Sequence, residues 1–175
     1  MKTLALAANK IVQLGDLSNL VNLAYLNVAS NQVRLCSPLF LIATICHLLM
    51  FQLTELPGSI GKCSNLGILD VSHNKLLRLP DTLGACKFLQ SLHAHHNDLQ
   101  TLPPSLKQCP RLMHLVLDHN HLSKFPELLR VCPIRQLSLS HNNITEFSPS
   151  LARLNLNRLD VRGNPIKLLP SYMVP

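Results

Sequence analysis

The stretch Leu66-Gly67-Ile68-Leu69-Asp70-Val71-Ser72-His73-Asn74-Lys75-Leu76 decides the fold. Its spacing of apolar residues and asparagine returns at residues 89–99, 112–122, 134–144 and 156–166, with earlier copies at residues 1–11 and 23–31. Asn9, Asn31, Asn74, Asn97, Asn120, Asn142 and Asn164 therefore stand 22 or 23 residues apart, apart from one gap of 43. A fixed period of that length marks a stacked-repeat architecture, in which no unit buries its apolar edge without a neighbour.

Each copy alternates apolar and polar residues around its second Leu, the period of two of a strand with one buried face. Successive strands then pair in parallel, one per repeat. An asparagine amide both donates and accepts, so a column of Asn can satisfy loop backbone groups of its own and neighbouring turns. Leaving such a buried group unpaired costs about 1–3 kcal/mol. The chain is 47% hydrophobic and 14% charged, too apolar for a disordered chain and long enough for one substantial core. Aromatic residues make up only 4%, with no Trp, so a base-stacking surface for single-stranded nucleic acid is poorly supplied.

The second half of the repeat reads Leu79-Pro80-Asp81-Thr82-Leu83, Leu102-Pro103-Pro104-Ser105-Leu106 and Phe125-Pro126-Glu127-Leu128-Leu129. With the first half it resembles the leucine-rich repeat family, whose pattern is L-x-x-L-x-L-x-x-N-x-L. Its L-P-x-x-L second half is similar to the intracellular Ras-suppressor and Scribble-like repeats. The resemblance covers nearly the whole chain. It implies an α/β repeat fold: a right-handed solenoid bent into a horseshoe arc. A parallel β-sheet would line the concave face, with short helical, 3₁₀ or extended segments on the convex face.

Residues 33–52 fill the doubled gap. Without them, Asn31-Gln32 joins Leu53-Thr54-Glu55-Leu56-Pro57, which matches Asn74-Lys75-Leu76-Leu77-Arg78-Leu79-Pro80 position for position. Three readings stand. One is an apolar insert of foreign origin, such as a retained intron, since Val33-Arg34 and Phe51-Gln52 can be encoded by splice-donor and splice-acceptor letters. A second is a degenerate eighth turn beside seven clear repeats, with Ala43, Cys46, Leu48, Phe51 and Leu53 on repeat positions; collapse into such a turn is the expected fate of so apolar a stretch. A membrane span is the third. Residues 35–54 lack formal charge, but Pro38, Thr44 and His47 dilute them, and a span would part repeats that must stack. No stable membrane span is expected.

The apolar run after Lys2 is about five residues, short of the roughly 7–15 of a secretory leader. Neither terminus reads as a polar cap, so the expectation is a fragment of a longer protein, with uncapped ends open to self-association. Cys63, Cys86, Cys109 and Cys132 share one repeat position, which Leu20 fills in an earlier copy. A site interchangeable with Leu is a core site, and unpaired core thiols fit a cytoplasmic protein.

Function is expected on the concave sheet. In register, His93 lies beside Asp70 and His95 beside Asp118, each pair one strand spacing of roughly 4.8 Å apart. His114 joins them at the centre of the arc, and Arg158 and Arg162 form a basic edge. His73, His96, His119 and His141 precede the ladder asparagines and read as ordinary strand-end filler. Metal ligation needs three or four converging groups, which an open sheet supplies poorly. No metal, cofactor or catalysis is therefore expected. The formal net charge is +7, yet Lys75, Arg78, Lys87, Lys107, Arg111 and Lys124 are dispersed over turns and convex segments. Nucleic-acid binding, which wants cations on one face, is not expected.

Two functions follow. The first is a non-catalytic protein–protein interaction module holding a protein ligand on the concave sheet, as the resemblance implies for intracellular signalling scaffolds and adaptors. The second is the partner-recruiting repeat region of a larger enzyme (a kinase, cyclase, phosphatase or ubiquitin ligase) whose catalytic domain lies outside this chain.

Overall fold

The computed structural model describes residues 1–11, 13–33, 51–147 and 149–167. Strands β1 (Thr3–Ala5), β2 (Tyr25–Asn27), β5 (Ile68–Asp70), β6 (Ser91–His93), β7 (His114–Val116), β8 (Gln136–Ser138) and β9 (Arg158–Asp160) form one parallel sheet in that order. The inner leucines run straight across it: Leu4, Leu26, Leu69, Leu92, Leu115, Leu137 and Leu159 are register partners in succession. From Leu26 to Leu137 these side chains are almost fully buried, and they sit at the centre of a single apolar core.

Behind the sheet, among the described residues, lie five 3₁₀ turns: η1 (Gly58–Lys62), η2 (Asp81–Ala85), η3 (Pro104–Gln108), η4 (Glu127–Val131) and η5 (Pro149–Arg153). The first four are each entered through a proline, Pro57, Pro80, Pro103 or Pro126, in extended conformation. The ring fixes φ where no ladder donor is required. The proline carbonyl then accepts the amide three residues on, as Pro80 does from Leu83 at 3.0 Å. That short bond closes the turn and drives Ile60, Leu83, Leu106 or Leu129 into the core. Gly84 marks how tightly these turns stack, for a Cβ there would meet the Ser105 carbonyl oxygen at 2.5 Å.

The asparagine column ties the turns together. Asn97 donates to Val71 O at 3.1 Å in the preceding turn and to Ala94 O at 3.2 Å in its own, while accepting from Leu76 N at 3.0 Å. Asn31, Asn74, Asn120 and Asn142 repeat the pattern and are buried; Asn164 repeats it half-buried, and Asn9 bonds only its own turn and is exposed.

The eighth turn expected in the doubled gap falls mostly on residues outside the described ones, but both ends of the gap are described. β2 and β5 are hydrogen-bonded neighbours, and Asn74 donates directly to Val28 O at 3.1 Å, so no rung stands between them. The chain leaves along β3 (Gln32–Val33) and returns along β4 (Phe51–Gln52), an antiparallel pair with Gln32 opposite Gln52. It therefore departs and re-enters at one level of the stack. Leu53 then takes the repeat position, fully buried, its amide on Asn74 Oδ1 at 3.2 Å. Ala43, Cys46 and Leu48 lie outside the described residues.

Candidate functional site

On the open face of the sheet, the residues flanking each inner leucine stand in columns fixed by the register. Asp70 and His93 are Cα partners, but each bonds elsewhere. The Asp70 carboxylate accepts from the Ser72 amide at 3.0 Å, the Ser72 hydroxyl at 2.7 Å and, more loosely, the Asn27 amide at 3.4 Å. His93 Nε2 shares a hydrogen bond with Ser91 Oγ at 2.7 Å. Asp118 is an internal knot: its Oδ1 accepts from Ser138 Oγ at 2.5 Å, Ser140 N at 2.8 Å and Ser140 Oγ at 2.6 Å.

Arg162 turns back on Asp160, with Nε on Oδ1 at 3.0 Å and Nη2 on Oδ2 at 2.6 Å. That fork, with a small opposing cost of burial, holds the Asp160 carboxyl at about 2. Arg158 is exposed and borders a hollow of about 220 Å³ over β7–β9, lined also by Leu115, Val116, Asp118, Gln136, Leu137 and Ser138. The hollow brings together Asp118 and Arg158 of the residues expected from sequence, and leaves Arg162, His93 and His114 outside its lining. Gln136 and Ser138 were visible in sequence only as polar strand residues, and the register alone puts them between the two charges.

The Leucine Rich Repeat family model matches residues 133–154. Among solved structures, a leucine-rich repeat protein of Leptospira interrogans is 29% identical with a TM-score of 0.81, over 97% of this chain and 39% of that one. The fold is a leucine-rich-repeat solenoid. A plant ice-binding protein, 23% identical over 94% of this chain and 49% of its own, has the same fold with a TM-score of 0.70. This chain thus spans well under two thirds of either protein's length. No curated protein matches it in sequence.

The edge of the solenoid carries a second arrangement. His73, His96, His119 and His141 all have φ between 51° and 54°, the left-handed region that non-glycine residues rarely occupy. Their rings stack face to face at 4.2–4.3 Å, with planes within 14°. They line a groove of about 490 Å³ with Lys75, Asp98 and His121. His95 stands edge-on to His73 at 5.0 Å, and its Nδ1 is buried without a hydrogen-bond partner. Burial first, and the neighbouring His73 second, push its imidazole below the ordinary value, outweighing Asp70 and Asp118. Among the described residues, no group of three or more His, Cys, Asp or Glu is placed to hold a metal ion.

The four cysteines of the common repeat position are free and buried. Each points its thiol at a carbonyl of the preceding turn, as Cys86 does toward Ile60 O at 3.5 Å. Burial pushes the Cys86 thiol up to about 12 and Cys132 to about 11, so these are packing groups and poor nucleophiles. No helix among the described residues is long and apolar enough to cross a membrane.

Proposed function

We propose that the chain is a non-catalytic interaction module that holds a protein ligand on its concave sheet, in the manner of intracellular signalling scaffolds built from Ras-suppressor-like repeats. Leucine-rich repeats in general mediate protein–protein contact, and a rigid open sheet with fixed columns suits that task. The observation that carries the reading is the hollow over β7–β9. It sets the Arg158 cation, the Gln136 amide and the Asp118 carboxylate around an apolar floor of Leu115, Val116 and Leu137. A peptide side chain with one polar tip would find both burial and a partner there. His93 and His114 extend the surface toward the centre of the arc.

Selection of peptides from a displayed random library tests this. Binders should cluster in sequence, perturb amide resonances of β7–β9, and lose at least about tenfold in affinity with Arg158→Glu, as truncating one partner of a buried charge contact does. Selected binders whose footprint lies wholly off the concave sheet would refute it.

A further inference from the structure

The excess charge of the molecule sits on one flank. Each 3₁₀ turn runs down to the next strand through a corner, formed by residues 61–67, 84–90, 107–113, 129–135 and 151–157. These corners hold Lys62, Lys87, Lys107, Arg111, Arg130, Arg135 and Arg153, and no Asp or Glu. The chain has sixteen Lys and Arg against nine acids. The nine cations elsewhere are thus matched one for one, and the corners carry the whole formal excess of +7. All seven corner cations are exposed. Of the acids, Asp81 stands at the proline end of its turn, Asp16 lies near enough to Lys62 to feel its charge, and Asp118 and Asp160 stand at the concave sheet. This corrects the expectation from sequence that Lys87, Lys107 and Arg111 are dispersed.

The corners form one continuous surface. A column of backbone bonds joins them rung to rung: Gly67 N to Ala24 O, Gln90 N to Gly67 O, Met113 N to Gln90 O, Arg135 N to Met113 O and Asn157 N to Arg135 O, all at 2.8–2.9 Å. Side chains bridge the same steps, with Lys87 Nζ on Gln108 O at 3.1 Å and Arg135 Nη1 on Asn155 O at 3.0 Å. Four strand spacings of about 4.8 Å separate the first corner from the last, a ridge of roughly 19 Å.

Apolar side chains project from the same ridge. Phe88 and Val131 are 43% and 59% exposed, and Val21, 47% exposed, lies one turn before the first corner, its carbonyl accepting from the Asn65 amide at 3.0 Å. Cations with protruding apolar groups match the boundary between headgroups and acyl chains of an anionic bilayer, which offers charge and an apolar phase together. A phosphodiester rod offers the first and not the second. The Arg111 guanidinium also lies 4.5 Å over the Phe88 ring, covering one face that a base would need for stacking.

We propose that this flank docks on the surface of a bilayer containing anionic phospholipid, with the solenoid standing on its edge and the concave sheet left open to its protein ligand. Binding is peripheral and electrostatic, so it weakens as salt shortens the Debye length.

Flotation of the intact chain with phosphatidylcholine vesicles containing about one-third phosphatidylserine, against pure phosphatidylcholine, tests the proposal. The protein should float with the first and not the second. Each corner charge removed should cost about fivefold, so K107E/R153E should abolish flotation. R78E/K124E, which changes net charge equally off the ridge, should retain it, and Val131→Ser should weaken it. Circular dichroism checks the fold of each variant, and K107Q/R153Q serves if the reversed pair misfolds. Equal affinity for both vesicles, equal loss from both double variants, or release by duplex DNA at matched phosphate would overturn the proposal. Vesicle binding that persists in Arg158→Glu keeps this outcome separate from that of the concave-face reading.

Discussion

Removing residues 33–52 should leave the solenoid intact and make it no less stable. The neck fixes the geometry. Gln32 and Gln52 are ladder partners across β3 and β4, with Cα atoms about 5 Å apart as antiparallel partners are. Joining Gln32 to Leu53 requires a Cα separation of about 3.8 Å, a shift that one bend at the neck can absorb. Everything past the junction is already in place: Leu53 is buried, its amide rests on Asn74 Oδ1, and β2 already pairs with β5.

The deletion removes the entropy of closing a loop of about twenty residues, roughly 2–3 kcal/mol by the (3/2)RT ln n relation. Against this stand the lost β3–β4 pairing and any strain at the junction, about 1–2 kcal/mol. The net expectation is a change between zero and about +2 kcal/mol. For a domain of this size that raises Tm by at most about 8 °C. Differential scanning calorimetry reads the shift, and hydrogen exchange at β2 and β5 reads the register. A fall in Tm of more than about 5 °C, or lost protection at Leu26 and Leu69, would show that the segment supports the stack and that the reasoning is wrong.

Other outcomes follow from the same contacts. Asn97→Ala orphans the Leu76 amide and takes one of two asparagine donors from each of the Val71 and Ala94 carbonyls, which keep Asn74 and Asn120; it should cost about 1–3 kcal/mol in urea unfolding, whereas exposed Asn9→Ala should stay within about 0.5 kcal/mol. Gly84→Ala, whose Cβ would meet Ser105 O at 2.5 Å, should lose about 1–3 kcal/mol, while Gly67→Ala, with 3.5 Å to its nearest neighbour, should be nearly neutral. His95 and His96 both lie below the ordinary 6.5, through burial and then neighbouring imidazoles. As pH falls through 6.5 the unfolded chain takes up protons first. Thermal stability should therefore be full above that point and decline below it, and H95N/H96N should flatten the decline.

The strands and the core were legible in sequence because both are one-dimensional facts. Alternation around Leu69, Leu92 and Leu115 names the buried face, and the constant period names the partner across each rung. Side-chain choice within a column is not written that way. The period sets Asp118 beside Ser140, but nothing in it says that Asp118 gathers Ser138 and Ser140 onto one oxygen. Charge reversal at Asp118, which reads from sequence as a mild surface change, would strand those three donors and disturb the fold along with any binding. Arg162, locked to Asp160, is likewise no open cation. The histidines before Asn74, Asn97, Asn120 and Asn142 share their positive φ with Ala8, Ser30 and Gly163, and only that glycine, a usual tenant of the region, signals it in sequence. There the backbone is set by the two carbonyls that each Asn amide must reach.

The basic flank was hidden for a different reason. Its seven cations are spread over five offsets within their repeats, with only Lys107 and Arg130, and Lys62 and Arg153, sharing one, so no alignment column is basic throughout. A solenoid sums charge over a corner, however, and any of several consecutive residues at that corner serves. A column invariant in sequence, such as the ladder Asn, answers to a bond of fixed geometry. A surface that is constant only in sum answers to a partner that reads charge density and tolerates sliding, as a lipid headgroup layer does. The concave hollow, where Arg158, Gln136 and Asp118 each have one place, is the opposite case. These two kinds of constancy on adjoining faces argue for two partners of different kind, one recognised by position and the other by field.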